Sequence, residues 1–379
     1  MNFSSLGLSE RLIEAINKAK YENPYPIQIQ AIPAILKKKD ILGIAPTGSG
    51  KTASYVLPIL QLLAEKNAPK DRHIPVLVIV PTRELAAQVQ QVVKMFSEFL
   101  PRRIKTMAVF GGVSINPQMI NLHGTEILVA TPGRLLDLLS KNAIQLDELQ
   151  VLVLDEADKV LNLGFKLEVD EILSRLPKKR QNILFSATME EEVEKLIQKL
   201  LHHPIKIEIE QDKIAPELIA QSAYLVPKEY KGPLLRHLIR EGNWQQVLVF
   251  TSSIRMADNV ANKLKKHGIE AVAFHGDKSQ GARTDALTKF KAGKIRVLVA
   301  TDLAARGIDI KLLPHVINYE LPRSPKDYIH RIGRTGRAGS EGEAISLVSE
   351  EEEHHFKVIQ KKMGRWVDLI DAMNIDFKL

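Results

Sequence analysis

A glycine-rich stretch at residues 45–52 has the composition and spacing of a phosphate-binding turn. It reads Ala-Pro-Thr-Gly-Ser-Gly-Lys-Thr, with an apolar run before it at 40–45 and a helical pattern after it at 53–64. Backbone N–H groups converge in such a turn, and the dipole of the following helix favours negative charge. The spacing fits a P-loop, whose Lys51 reaches the β- and γ-phosphates and whose Thr52 hydroxyl holds Mg²⁺; an ordinary glycine-rich turn is the alternative. The predicted phosphate-binding residues are Thr47, Gly48, Ser49, Gly50, Lys51 and Thr52.

Two carboxylates follow another apolar run further along the chain. Asp155 and Glu156 come directly after residues 151–154, and ligands bind at the carboxyl ends of strands in open α/β sheets. One carboxylate can hold Mg²⁺, directly or through water, while the next orients or deprotonates an attacking water. We therefore predict Asp155 as a metal ligand beside Thr52, and Glu156 as the catalytic base. An acidic loop after a strand is often structural, so this interpretation depends on the upstream glycine-rich turn.

A basic segment at residues 330–337 supplies a third group of candidates. It reads His-Arg-Ile-Gly-Arg-Thr-Gly-Arg, and arginines in a glycine-containing turn suit the binding of guanidinium groups to phosphate. Together with the phosphate-binding turn, it predicts that Arg334 and Arg337 act as arginine fingers; a solvated basic turn is the alternative. For His330, a structural or interdomain hydrogen-bonding role is the alternative.

The elements that must position these residues alternate between apolar strands and amphipathic helices. Helical patterns precede the turn at 6–20 and 27–37, and another covers 84–99. Strand patterns occur at 76–80, 104–110, 127–130, 151–154 and 183–185, and again at 247–250, 271–274, 297–300, 316–319 and 344–348. Several of these runs are apolar throughout, as in strands covered on both faces. The alternation predicts an α/β fold with doubly wound parallel sheets.

The length of 379 residues exceeds that of one usual hydrophobic core, so two domains are expected. A polar segment interrupts the alternation, and we predict a first domain at 1–208, a linker at 209–216 and a second domain at 217–379. The second domain contains no further Gly-x-x-x-x-Gly-Lys-Thr pattern. One nucleotide-binding turn is therefore expected, and the second domain is expected to do something other than bind its own nucleotide.

Composition excludes several classes of protein. The chain has no cysteine, which rules out disulfides, cysteine zinc sites and cysteine nucleophiles and fits a reducing compartment. No secretory signal and no membrane-spanning run is visible, so a cytoplasmic location without membrane contact is predicted. The formal charge of +8 indicates a polyanionic partner.

Taken in order, the motifs resemble those of DEAD-box RNA helicases, in helicase superfamily 2, over nearly the whole chain. In the first half they comprise Phe3, 21–24, Gln28, 45–52, 81–86, 111–112, 131–134, 155–158 and 186–188. In the second half they comprise 249–251, Gln280, Arg283, 300–302, 306–309 and 330–337. The resemblance implies two tandem RecA-like domains, each a parallel sheet flanked by helices, and an ATP-dependent RNA helicase that uses ATP and Mg²⁺.

The same resemblance implies roles at the nucleotide. Gln28 is expected to read the adenine edge, which suits an amide that donates and accepts at once; a surface amide is the alternative. Tyr21 is expected to stack on the adenine ring, with Phe3 in the same group, and Asp309 to contact the ribose. Ser186, Thr188 and His330 are expected to couple hydrolysis to strand separation.

The resemblance also implies RNA contacts at strand ends and turns. The predicted residues are Pro81, Thr82, Arg83, Gly112, Thr131, Pro132, Gly133, Arg134, Thr251, Arg283 and Thr301. Thr and Arg donate to phosphate oxygens without reading sequence, and such binding weakens with salt. For the three arginines, a role in surface solubility is the alternative.

We expect ATP-driven closure of the two lobes on bound RNA, ATP hydrolysis, and local unwinding of duplexes or remodelling of ribonucleoprotein by a monomer. An ATP-dependent RNA clamp and a DNA helicase are the alternatives. Ribosome assembly, RNA decay and cold adaptation, with their protein partners, all stay open. Two departures from the family pattern affect the adenine region: Lys20 replaces the usual glycine, and Tyr25 a small Ser or Thr.

Overall fold

Two parallel sheets, each with seven strands in the described residues, form the framework of the chain. The computed structural model describes residues 2–46, 48–66, 68–69, 71–209, 219–305, 313–336 and 342–377. The chain divides into two compact units, residues 1–211 and 212–379. Most of the predicted linker lies outside the described residues, as do the site candidates Thr47, Asp309 and Arg337.

The first unit is built on a fully parallel sheet. Its strands are β1 Ile41–Ile44, β2 Val76–Ile79, β3 Thr106–Val109, β4 Ile127–Ala130, β5 Val151–Leu154, β6 Gln181–Ser186 and β7 Ile205–Glu208. They lie in the order β3-β4-β2-β5-β6-β1-β7. Because β6 pairs in parallel with both β1 and β5, all three strands end at the same edge of the sheet. The turn that follows β1 and the carboxylates that follow β5 are thereby brought to one edge.

Helices cover both faces of this sheet. They are α1 Glu10–Lys18, α2 Pro26–Leu36, α3 Lys51–Ala64, α4 Arg83–Ser97, α5 Asn116–Ile120, α6 Pro132–Ser140, α7 Ala157–Asn162, α8 Lys166–Ser174 and α9 Glu191–Leu200. Along β6 the side chains alternate between two apolar clusters, with Phe185 in one and Leu184 in the other. Each face of the sheet therefore has its own core, as the uniformly apolar strands require.

The second unit repeats this plan. Its strands are β8 Ile219–Leu225, β9 Val247–Thr251, β10 Ala271–Phe274, β11 Val297–Thr301, β12 His315–Asn318, β13 Gly342–Val348 and β14 Leu369–Asp371, in the order β10-β11-β9-β12-β13-β8-β14. Its helices are α10 Lys231–Glu241, α11 Ile254–Lys266, α12 Gln280–Lys291, α13 Asp302–Ala305, α14 Pro325–Ile332 and α15 Glu353–Met363. None of the helices in the described ranges has the length and apolar character needed to cross a bilayer.

The predicted helix at 6–20 was wrong at its start. Phe3–Leu6 forms a separate 3-10 helix, which ends at Gly7 in left-handed backbone (φ 83°), and α1 begins only at Glu10. Glycine adopts that conformation without steric cost, so the chain turns there instead of continuing the helix. The apolar spacing alone did not reveal this break.

Candidate active site

The phosphate-binding turn is a tight loop between β1 and α3. Gly48 and Gly50 both have left-handed backbone, with φ of 90° and 86°, and α3 begins directly afterwards at Lys51. Only glycine takes up two such positions readily, which explains the residue pattern. The Lys51 ammonium is buried and donates to the carbonyl of Ala45 at 2.9 Å. The lysine thus spans the mouth of the turn, where a phosphate would meet it.

Asp155 lies at the end of β5 and is almost completely buried. Its Oδ1 accepts the backbone N–H of Glu156 at 2.9 Å, and its Oδ2 accepts the hydroxyl of Tyr55 at 3.0 Å. Burial raises the pKa of Asp155 to about 6, although the positive charge of Lys51 opposes the rise. A buried carboxylate of this kind is stabilised by a nearby cation.

The Glu156 side chain is buried and only half partnered. Its Oε1 accepts from Lys159 Nζ at 2.7 Å, whereas its Oε2 is buried without a hydrogen bond among the described residues. The backbone of Glu156 is left-handed, with φ 52°, which is uncommon for a residue with a side chain. The carboxylate therefore has an oxygen available for a water, and its second oxygen is held by a lysine one helical turn away.

Hydrogen bonds connect the end of β6 to the acidic loop. Ser186 Oγ donates to the carbonyl of Thr188 at 2.7 Å, and Thr188 Oγ1 donates to Asp158 Oδ2 at 3.1 Å. The two predicted coupling residues of this unit are therefore bound to each other and to the same loop as Asp155. This contact is the physical basis on which a coupling role can be proposed.

Gln28 binds the phosphate-binding turn within the chain itself. Its Oε1 accepts the N–H of Tyr25 at 2.9 Å, and its Nε2 donates to the carbonyl of Gly50 at 3.1 Å. The side chain is fully buried, so it is not the surface amide considered from the sequence. One lone pair and one N–H of the amide are not used by these two bonds. A role at adenine stays a prediction.

The aromatic residues near this region differ in exposure. Tyr21 packs edge-on against Phe96, with ring centroids 5.6 Å apart, while Phe3 is buried in the core. A role for Phe3 in nucleotide binding stays a prediction. Lys20 has left-handed backbone, with φ 58°, which accounts for the glycine usual at this position in the family it resembles.

The first unit places its RNA candidates at the amino ends of two helices. Thr82 caps α4 by accepting from the N–H of Leu85 at 3.2 Å. A Cβ added to Gly112 would lie 2.3 Å from Arg83 Nη1, so the guanidinium packs directly on the glycine. The remaining candidates of this unit are Pro81, which precedes α4, and Thr131, Pro132, Gly133 and Arg134 at the start of α6.

Two of the three arginine candidates are mostly buried. Arg134 donates to the carbonyl of Val113 at 2.8 Å, and Arg283 lies over the Phe274 ring at 4.9 Å from its centroid. Each has a relative exposure of 7%. Burial of this degree excludes a role in surface solubility for these two side chains.

In the second unit, two threonine candidates are direct neighbours. Thr251 and Thr301 end β9 and β11 and are paired across the sheet. The segment at α14 lies nearby through Arg331, whose guanidinium makes a two-point contact with Asp302, the residue after Thr301, at 2.6 and 2.7 Å. Arg334 Nη2 donates to the carbonyl of Ala305 at 3.3 Å, and His330 is exposed on α14.

Three residues with evident influence on the site were not predicted. Tyr55, Lys159 and Arg331 contact Asp155, Glu156 and Asp302 respectively. Lys159 follows Glu156 by three residues, a spacing at which helical side chains meet, so it could have been found. The other two pairs are distant in sequence, and no local pattern indicates them.

Comparison with known families agrees with this arrangement. The family model described as DEAD/DEAH box helicase matches residues 25–196, and the helicase conserved C-terminal domain matches residues 230–339. The ATP-dependent RNA helicase CshA of Listeria monocytogenes is 39% identical over 99% of this chain and 71% of its own. The ATP-dependent rRNA helicase rrp-3 of Neurospora crassa is 42% identical over 97% of this chain and 70% of its own.

A solved structure is also similar to this chain in sequence and fold. S. cerevisiae Dbp5 bound to RNA and ADP BeF3 is 30% identical, covers 98% of this chain and 96% of its own, and has a TM-score of 0.82. The two parallel sheets are thus tandem RecA-like domains. Since the phosphate-binding turn and the paired carboxylates lie within the matched residues at one edge of a sheet, the chain belongs to the DEAD/DEAH box helicase family.

Proposed function

We propose that the protein is an RNA-dependent ATPase that locally unwinds RNA duplexes or remodels ribonucleoprotein by ATP-driven closure of its two RecA-like lobes. The observation that carries this proposal is the meeting of α3 and β5 in the first unit. There Tyr55, from the helix that begins with Lys51, reaches Asp155 at 3.0 Å. Phosphate-binding and carboxylate groups on adjacent elements are what phosphoryl transfer requires. Relatives named as RNA helicases, and Dbp5 bound to RNA and ADP BeF3, support the choice of substrate.

The residues of the first unit fit a magnesium nucleotide. Mg²⁺ is held in proteins by one or two carboxylates together with substrate phosphates. No cluster of three or more His, Cys, Asp or Glu able to hold a metal occurs in the described part of the chain, and one carboxylate, that of Asp155, with the Thr52 hydroxyl suits that mode. When bound, the ion neutralises charge on the phosphate oxygens.

For hydrolysis, we propose that Glu156 orients and deprotonates the attacking water. Its Oε2 has no intrachain partner among the described residues and can accept a water proton directly. The ion pair of Oε1 with Lys159 of α7, at 2.7 Å, fixes the carboxylate. Lys51 would bind the β- and γ-phosphates in exchange for its bond to Ala45.

The second unit supplies the proposed arginine fingers, the ribose contact and further RNA contacts. We propose that Arg334 and Arg337 stabilise the charge that develops on the transferred phosphate. Asp309 is proposed to contact the ribose of ATP. Thr251, Thr301 and Arg283 would bind the RNA backbone, so that RNA and ATP together favour the closed arrangement of the lobes. Contacts of this kind position RNA without reading its sequence.

Paired assays test the proposal. ATP hydrolysis is measured with and without RNA, beside displacement of one strand from a short RNA duplex. Stimulation and displacement are both expected, whereas stimulation without displacement indicates an RNA clamp. Stronger stimulation by DNA than by RNA indicates a DNA helicase.

Substitution of Arg334 by Ala tests the arginine finger. A loss of about 10³-fold in the RNA-stimulated rate is expected. Arg323→Ala is the matched control, since Arg323 is an exposed arginine of the same unit. Equal rates for Arg334→Ala and the wild type would remove the arginine finger from the mechanism.

Several finer assignments stay proposals. They are Mg²⁺ as the ion, a cytoplasmic location, a monomeric state and the domain limits 1–208 and 217–379. Protein partners in ribosome assembly or RNA decay belong with them. Crosslinking to RNA in cells, followed by sequencing of the bound fragments, addresses the physiological RNA.

A further inference from the structure

Tyr55 is a fully buried residue of α3 whose hydroxyl group reaches the candidate metal site. It donates to Asp155 Oδ2 at 3.0 Å, although the two residues are 100 positions apart. Three positions before it on the same helix lies Thr52, and side chains at that spacing share a helix face. The phenol therefore bonds to one residue that is assigned to the magnesium ion, and lies on the same helix face as the other.

The surroundings fix the ring firmly. Tyr55 has no exposed surface, and its ring packs against Phe185 of β6 with centroids 5.9 Å apart. Phe185 is itself confined, because a Cβ added to Gly43 on the neighbouring strand would lie 2.2 Å from its ring. Tyr55 is thus packed against a ring that is itself in close contact with β1, so the position of the hydroxyl is set by the core.

The direction of the hydrogen bond follows from the groups that make it. The Tyr55 hydroxyl donates to Asp155 Oδ2, because an ionised carboxylate can only accept. Two carboxylate oxygens offer about four acceptor positions, so Asp155 keeps lone pairs for a cation beside this bond.

We propose that Tyr55 is a positioning residue that orients the Asp155 carboxylate toward the divalent cation accompanying the nucleotide. The proposal rests on the proposed function, because it assumes a magnesium nucleotide in the turn. Its chemistry is that of a fixed phenol that donates a hydrogen bond to one carboxylate oxygen and thereby holds the carboxylate in place. The remaining lone pairs of the carboxylate are what a hard cation requires.

The test removes the hydroxyl and keeps the ring. In Tyr55→Phe, binding of a fluorescent ADP analogue is titrated with Mg²⁺, and the binding of the same analogue is measured in EDTA. The Mg²⁺ concentration at half-saturation is expected to rise about five- to tenfold, in line with the loss of a hydrogen bond to a charged group. Affinity in EDTA is expected to change less than about twofold, since no phosphate contact is removed.

A second buried tyrosine provides the matched control. Tyr328 of the second unit has 1% exposure, bonds through its hydroxyl to Ser346 Oγ at 3.0 Å and packs against Phe356. Tyr328→Phe removes a comparable buried hydroxyl and should leave the Mg²⁺ half-saturation unchanged. Should Tyr55→Phe fail to fold, as judged by circular dichroism, Tyr55→Met replaces it with the same expected shift, because methionine fills irregular space.

The outcomes are distinct. An unchanged Mg²⁺ requirement in folded Tyr55→Phe overturns the positioning role, and so does an equal loss of affinity with Mg²⁺ and in EDTA, which indicates a general distortion of the turn. If the wild type itself shows no Mg²⁺-dependent binding, the proposed function fails instead. A raised Mg²⁺ requirement confined to Tyr55 supports the inference.

Discussion

Replacement of Arg331 by methionine should destabilise the second unit selectively. The guanidinium has 2% exposure and donates four hydrogen bonds: two to Asp302, one to Asn318 Oδ1 and one to the carbonyl of Glu320. It also lies over the Phe250 ring, 5.0 Å from the centroid. Removing one partner of a buried ion pair costs about 3–5 kcal/mol.

The lower end of that range applies here. The Asp302 side chain is 29% exposed, so water can solvate part of the carboxylate after the substitution. We therefore expect the free energy of unfolding to fall by about 3 kcal/mol. For a unit the size of residues 212–379, this corresponds to a decrease of about 6–12 °C in Tm.

Tryptophan fluorescence isolates the relevant unit. The chain has two tryptophans, Trp244 and Trp366, and both belong to residues 212–379. Trp244 is 9% exposed and stacks on His315 at 4.2 Å, so unfolding will change its emission. The fluorescence midpoint should fall in Arg331→Met, while a transition of the first unit, followed by calorimetry, should stay in place.

Lys357→Ala is the control for this experiment. Its ion pair with Glu353, at 2.7 Å, is largely exposed and should contribute no more than about 0.5 kcal/mol. If Arg331→Met lowers the fluorescence midpoint no further than Lys357→Ala does, the reasoning about the buried guanidinium is refuted.

Gly112→Ala should weaken binding of single-stranded RNA about tenfold in a filter assay, because φ is 75° and the new Cβ would lie 2.3 Å from Arg83 Nη1; unchanged affinity would show that this contact is irrelevant to RNA. Lys159→Met should lower ATP hydrolysis about threefold, because it removes the ion pair that holds Glu156 Oε1 in place. A rate at or above the wild-type value contradicts this positioning role. Burial raises the pKa of Asp155 from 3.8 to about 6, so its protonated form favours folding. Between pH 7.5 and 4.5, the nucleotide-free wild type should gain about 2 kcal/mol of stability relative to Asp155→Asn. Calorimetry of both proteins measures this, and parallel pH profiles would contradict it.

Central strands were predictable because burial on both faces leaves a continuous apolar run. The segment Val151–Leu154 was placed correctly for this reason, as was Ile127–Ala130. The strand Ile219–Leu225 was missed, since it mixes buried positions with polar ones such as Gln221. The short edge strand Leu369–Asp371 is largely exposed and carries no pattern at all.

For the candidate site, the sequence predicted residue types and their strand ends but not their partners. That Asp155 follows a strand can be read locally, whereas its bond to Tyr55 depends on how α3 packs against β5. A tyrosine within an apolar helix is indistinguishable from an ordinary core residue until the fold is known. The same holds for Arg331, which the sequence placed in a basic turn and the structure places in the core.

Because the backbone of Glu156 is left-handed, the side chain that is assigned to catalysis lowers the stability of the fold. A residue with a side chain costs about 1 kcal/mol more than glycine in this conformation, and asparagine tolerates it better than glutamate. Random mutagenesis followed by selection for heat resistance alone would accordingly favour loss of the carboxylate that is assigned to water activation. Any programme to evolve a more robust variant of this protein must select for turnover at every round, because stability gained at this position removes the carboxylate that is assigned to water activation.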